Sequence, residues 1–246
     1  LEQSIRSVLD QTFADWELIL VDDCSTDGST AIMRRFADMD RRIRYTRNPT
    51  NQNLPRSLNR GFSMARGRYH SWTSDDNYYL PHAIGAMVDL LEARRDIGLV
   101  CAGYRIIDEY GKTIRDVSRI DLDKLVTQPA VGACFLYRSE VFARTGGYRP
   151  EYLYVEDHDF WLRAYRQFRF SRIDGIHYVY RVHSGALGVT RQFEQYERHH
   201  RLVLENLDLA SHLSPAKRAS ILVGLFRRHP FRKDWKCLSR AFLCAP

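Results

Sequence analysis

Glu17-Leu18-Ile19-Leu20-Val21-Asp22-Asp23-Cys24-Ser25-Thr26-Asp27-Gly28-Ser29 is the stretch on which the fold turns. Its apolar run, Leu18 to Val21, is too compact for a helix and stops at acids, so residues 17–22 read as a buried strand. The small hydroxyl residues, Asp27 and Gly28 that follow read as a loop, and Thr30 to Asp38 as a helix with Ile32, Met33 and Phe36 on one face. On the N-terminal side, Ile5, Val8 and Leu9 recur at helical spacing and predict a helix over residues 2–12. On the C-terminal side come a strand at Ile43 to Thr46, a helix at Arg56 to Ala65 closed near Gly67, and a strand at Arg68 to Thr73. A helix at Pro81 to Arg94 and a strand at Ile97 to Ala102 complete the first half. This alternation predicts an α/β fold with a mostly parallel central sheet flanked by helices. In such sheets ligands sit beyond the carboxyl ends of the strands. Asp22-Asp23 and Asp75-Asp76 are both expected at such ends.

The second half is less regular. Tyr104 to Ile114 reads as a hairpin around Gly111, Ala133 to Tyr137 as a strand, and Ser139 to Thr145 as a short helix closed by Gly146-Gly147. Glu156 to Phe168 is an amphipathic helix opening in acids, Tyr178 to Val182 a strand, and residues 189–210 a helix rich in Arg, His and Glu.

Composition narrows the class. With 246 residues, 44% hydrophobic and 12% aromatic, the chain has enough apolar material for a sizeable core, which excludes disorder, collagen and disulfide-scaffold classes. The 5 cysteines are odd in number and contain no Cys-x-x-Cys, which predicts a reducing, cytoplasmic setting and no structural zinc. No apolar run reaches the ~20 residues of a membrane span. The net charge of +7 is carried wholly by residues 211–246, where Lys and Arg stand against the single acid Asp234. A neutral body with a basic tail argues against a nucleic-acid reader. Apolar positions mixed with Arg and Lys in 211–246 predict either a peripheral helix at the inner face of an anionic membrane or a solvated helix pair closing the domain.

Three constellations carry chemistry. In Ser74-Asp75-Asp76-Asn77, adjacent carboxylates repel unless a cation neutralises them, and a hard divalent cation shared with phosphate oxygens would do so. A solvated turn is the alternative. In Val21 to Ser29 the acids could accept bonds from a base or ribose, or Asp27 and Ser25 could merely cap the next helix. Neither G-x-G-x-x-G nor G-K-[ST] is present, so this is no Gly-rich phosphate cradle. In Glu156-Asp157-His158-Asp159-Phe160-Trp161 the acids either complement a helix dipole or supply a general base toward a sugar hydroxyl. His183 is a candidate metal or phosphate contact, or a structural histidine.

Together Val21-Asp22-Asp23-x-Ser25-Thr26-Asp27, Ser74-Asp75-Asp76-Asn77, Gly146-Gly147-Tyr148 and Glu156-Asp157-x-Asp159-Phe160-Trp161-Leu162 resemble glycosyltransferase family 2 in order and spacing over roughly residues 1–185. The link Asn53 to Gly61 resembles the helix that the family carries before its metal motif. The resemblance implies a Rossmann-like A-type glycosyltransferase fold: a nucleotide-sugar half at 1–102, an acceptor and catalytic half at 103–188, and a basic helical extension at 189–246. It implies inverting transfer from a nucleotide-diphosphate sugar, a UDP-sugar foremost, to a saccharide or lipid-linked hydroxyl in cell-surface polysaccharide or glycolipid synthesis. A non-catalytic nucleotide-sugar binder is the alternative, and nucleotidyl transfer is disfavoured without a Gly-rich loop. By position, Asp22 and Asp23 would contact the nucleoside, and Asp75 the ribose or sugar. Asp76, with His183, would hold Mg²⁺ or Mn²⁺, and Asp157 would be the general base with Glu156 orienting it. The family's usual acid before the metal motif is Thr73 here, and its usual Arg is Leu58, so Arg56 is expected to substitute. Family members open with an apolar strand that this sequence lacks, so it is expected to start inside the helix that follows.

Overall fold

The computed structural model describes residues 1–186 and 190–211, with 214–216, 218, 219 and 223. Its helices are α1 (Glu2–Leu9), α2 (Ser29–Met39), α3 (Asn53–Met64), α4 (Ala83–Ala93), α5 (Ser139–Thr145), α6 (Glu156–Tyr165) and α7 (Gln192–Glu205). Its strands are β1 (Leu18–Asp22), β2 (Ile43–Arg47), β3 (Tyr69–His70), β4 (Tyr78–Tyr79), β5 (Ile97–Ile107), β6 (Thr113–Val117), β7 (Cys134–Arg138) and β8 (Arg169–Arg181).

β1 and β2 form a parallel two-stranded sheet, and the other strands form a six-stranded sheet along the path β3-β7-β5-β8-β4, with β6 paired to β5. Within the larger sheet only β5 and β8 are parallel; β3–β7, β5–β7, β5–β6 and β4–β8 are antiparallel. The sheet is therefore mixed, which corrects the expectation of a mostly parallel one. Alternation along the first half orders the elements without choosing their partners. β3 and β4, two residues each, pair with β7 and β8 from the second half instead of with β1. β5 runs unbroken from Ile97 to Ile107, across the expected division at residue 102, so both halves share this sheet.

β5 is buried from Ile97 through Gly103, as a strand covered on both faces should be. One face carries Leu99, Phe135, Tyr137, Tyr148, Phe160 and Trp161, packed beneath α5 and α6. On the other, Val100, Ala102 and Tyr178 pack against Met87 and Leu91 of α4. A smaller cluster, Ile5, Leu20, Met33, Phe36 and Ile43, joins α1 and α2 to β1 and β2. Each such large side chain contributes about 1.5–3 kcal/mol on burial, so the loops above the sheet stand on a firm base. Among the described residues no helix is long and apolar enough to cross a membrane. The tail 211–246, expected at a membrane surface, lies outside the described residues apart from the few positions named above.

Candidate active site

The first acidic pair ends β1. Asp22 Oδ1 accepts from the Ser25 amide at 2.7 Å, while Oδ2 accepts from Thr30 Oγ1 at 2.6 Å, Tyr45 Oη at 2.9 Å and Arg47 Nη1 at 3.0 Å. Its side chain has no exposure. Burial alone would raise its pKa, but the bonds from Thr30, Ser25 and Tyr45 outweigh that and hold it at about 2. Asp22 thus ties the loop after β1 to α2 and β2. Asp23 is half-buried, and its Oδ1 accepts from Asn48 Nδ2 at 2.8 Å and the Gln52 amide at 2.7 Å. Arg56 is exposed on α3.

The second pair lies in the loop between β3 and β4, not at a strand end. That loop is pinned by α1 on one side and by Arg181 of β8 on the other. Ser4 Oγ donates to Ser74 O at 2.9 Å, the Arg181 amide to Asn77 Oδ1 at 2.7 Å, and Arg181 Nε to Asp76 O at 3.3 Å. Asp76 Oδ2 lies 3.0 Å from His183 Nε2, whereas its buried Oδ1 has no partner among the described residues. Asp75 stands exposed beside it.

The third cluster opens α6. Asp159 is fully buried and clamped by Arg149 and by Arg163, whose Nη2 is 2.8 Å away. Arg163 also donates to the carbonyls of Thr145 and Gly147 at 2.5 and 2.7 Å. Asp159 therefore organises the structure around Gly146-Gly147-Tyr148. Gly147 adopts φ +78°, and a Cβ there would meet Asn59 Oδ1 at 2.6 Å. This close approach lets Asn59 bond both the amide and the carbonyl of Tyr148, at 2.8 and 2.7 Å.

Glu156 and Asp157 differ from Asp159. Glu156 is 5% exposed and its Oε2 has no hydrogen-bond partner among the described residues. Burial first, and the adjacent Asp157 charge second, push its pKa well above the usual carboxylate range. Asp157 is half-buried and accepts the His158 amide at 2.6 Å; burial raises its pKa as well. The helix N-terminus should favour their anions, and burial overrides it. His158 Nε2 lies 2.6 Å from the Leu125 carbonyl, and burial lowers its pKa to about 4. Since a carbonyl only accepts, Nε2 carries the proton.

One cleft of about 830 Å³ collects the second and third clusters: Asp75, Asp76, Glu156, Asp157 and His183 all line it. Asp22, Asp23 and Arg56 are not among its lining residues. Sequence reasoning did not single out Tyr180 or the face of α7 bearing Gln192, Gln195, Tyr196 and His199, which also line it. Tyr180 stands three residues before His183, and its hydroxyl feels the charges of both Asp76 and Asp157. It was legible only as part of a strand. No pattern in residues 192–199 marks that helix face as part of a site.

The chain is similar to known proteins. The family model described as "Glycosyl transferase family 2" matches residues 1–146. EpsE of Bacillus subtilis, assigned by name to the glycosyltransferases, is 32% identical over 173 residues. That alignment covers 68% of this chain and 62% of EpsE, so this chain spans less than two thirds of that relative's length. Among solved structures, Staphylococcus aureus TarS in complex with UDP-GlcNAc superposes with a TM-score of 0.71 at 16% identity, over 99% of this chain and 77% of that one. The mannosyltransferase PcManGT of Pyrobaculum calidifontis, in complex with GDP-Man and Mn²⁺, does so at 0.65 and 16%, over 99% and 81%. At such identities the likeness shows the fold, which is the A-type glycosyltransferase fold.

Proposed function

The chain belongs to glycosyltransferase family 2, and on that premise we propose that its cleft transfers a sugar from a nucleotide-diphosphate sugar to a hydroxyl acceptor, with inversion at the anomeric carbon. The observation that carries this reading is the convergence of Asp75, Asp76 and His183 with Glu156 and Asp157 on one cleft. Asp157 accepts the proton of the acceptor hydroxyl as that oxygen attacks the anomeric carbon. The bond to the diphosphate breaks on the opposite face of the ring, which gives direct displacement and a single inversion. Glu156, kept protonated by burial and by its neighbour's charge, lets Asp157 hold the negative charge of the pair.

Asp76 fits a divalent cation. A buried carboxylate oxygen without a partner is costly unless an ion or ligand meets it, and Oδ1 is such an atom. Among the described residues no group of three or more His, Cys, Asp or Glu is placed to hold a metal. Mg²⁺ and Mn²⁺ take one or two carboxylates and complete their shell with substrate phosphates and water. Asp76, with His183 beside it, would hold the ion, and when bound it would neutralise charge on the departing diphosphate. Asp75 would meet the ribose or sugar, and Asp23 and Arg56 the nucleoside side. Asp22 fixes the loop that presents Asp23. UDP-GlcNAc in TarS and GDP-Man in PcManGT support this donor class.

The test is binding as well as turnover. Asp76→Ala is expected to abolish the Mn²⁺-dependent part of UDP binding in calorimetry and to lower sugar transfer at least ~10²-fold. Equal Mn²⁺ enhancement of UDP binding in variant and unaltered chain would remove Asp76 from the role. Tight nucleotide-sugar binding without transfer or hydrolysis would mark a binding domain instead of an enzyme.

A further inference from the structure

The turn that delivers Glu156 and Asp157 to the cleft passes through Tyr154, whose φ is +77°. In this left-handed region the Cβ of an L-residue crowds its own carbonyl, so a tyrosine stays there only if its surroundings hold it. The surroundings belong to α7. Gln195 Nε2 donates to the Tyr154 carbonyl at 3.2 Å, and Arg198 Nη1 donates to the Leu153 carbonyl at 2.5 Å. The Arg198 guanidinium lies 5.1 Å from the centre of the Tyr154 ring. Residues 195 and 198 share one helix face at i, i+3. Further along, Glu205 accepts from the Tyr152 hydroxyl, and the Arg201 guanidinium sits 5.0 Å over the Tyr152 ring. The stretch 152–154 is therefore strapped along α7, and α6 begins two residues later at Glu156. α7 lies beyond residue 146, where the family match stops.

We propose that Gln195 and Arg198 are positioning residues: α7 holds Tyr154 in its left-handed conformation, and that turn aims the Asp157 carboxylate into the cleft. The proposal rests on the reading of Asp157 as the base.

The experiment compares Gln195→Ala/Arg198→Met in two backgrounds, the unaltered chain and Tyr154→Gly. Glycine enters the left-handed region without the Cβ penalty, so the turn then needs no clamp. Hydrolysis of UDP-GlcNAc and GDP-mannose with Mn²⁺ gives kcat and KM, and crystal structures give φ at residue 154. With Tyr154 present, the paired substitution is expected to move residue 154 out of the left-handed region and to lower kcat at least ~10-fold, with donor KM within ~2-fold, as a misplaced reacting group does. In the Tyr154→Gly background the same substitutions are expected to cost less than ~3-fold. A φ that stays near its present value, or an equal loss in both backgrounds, overturns the clamp. If the paired variant does not fold, Gln195→Ala alone is read in the same way. If the unaltered chain turns over neither donor, the catalytic reading fails separately, and the φ of residue 154 still decides whether α7 holds the turn.

Discussion

Two acidic pairs that look alike in sequence behave oppositely in the fold. Asp22, at the end of β1, is buried and surrounded by donors from the following loop, α2 and β2, and its pKa is drawn down to about 2. Glu156 and Asp157, at the start of α6, are also withdrawn from water, yet Glu156 Oε2 has no partner among the described residues and both carboxyls are pushed up. Burial is common to both; the supply of donors is not. A saturated carboxylate is a structural part, because every bond it could offer a substrate is already used. An unsaturated one stores the tendency to take a proton, which a general base needs.

That contrast breaks most visibly at Asp157. Asp157→Asn is expected to lower kcat for sugar transfer by ~10²–10⁴ while leaving nucleotide affinity unchanged. Retention of the transfer rate would show that the unsaturated pair is not the base. Because burial raises the pKa of Asp157, the acid limb of the unaltered chain's kcat/KM profile should lie above the ordinary aspartate value of about 3.9.

The next effect in size belongs to the saturated pair and concerns stability. A folded pKa of about 2 against the ordinary aspartate value of 3.8 means that Asp22 stabilises the fold above that ordinary value, and that this contribution is lost as pH falls through about 2. Asp22→Asn should cost roughly 2 kcal/mol at neutral pH and flatten the acid end of the stability curve. Urea unfolding at pH 7 and pH 3 measures both, and an unchanged midpoint at pH 7 would contradict the donor count around Asp22.

The smallest effect has the opposite sign. Glu156 titrates higher when folded than the ordinary glutamate value of 4.5, so the native state keeps a proton that the unfolded chain has lost. Stability then declines as pH rises from that value toward the raised one. Glu156→Gln should remove this decline, gaining of order 1 kcal/mol at pH 8, and should leave kcat within ~3-fold because the glutamate already carries its proton. A pH–stability curve parallel to that of the unaltered chain would refute the assignment.

Much of the fold was legible because apolar spacing alone identifies elements of ordinary length, such as α1, β1, α2 and β2. β3 was read only as the longer strand Arg68 to Thr73, and β4 was not read at all, since two residues cannot display a period. The first part of β8 escaped for another reason: Asp174 and Gly175, the latter at φ +99°, interrupt the alternation that marks a strand. At the site, the acids could be found as motifs, and the resemblance joined them. What could not be read was the state of each carboxylate. The partners of Asp22 come from Ser25, Thr30, Tyr45 and Arg47, and no local pattern ties those positions to an acid on β1. The α7 wall was illegible for the same reason, because Gln195 and Arg198 acquire meaning only against the turn at Tyr154.

The most direct test of the cleft is a crystal structure of the chain with Mn²⁺ and UDP-GlcNAc. The expected result is a cation ligated by the Asp76 Oδ1 that now lacks a partner and by the diphosphate, with the sugar's anomeric carbon facing Asp157. A diphosphate bound away from Asp76, or a sugar whose anomeric carbon turns from Asp157, would contradict the account.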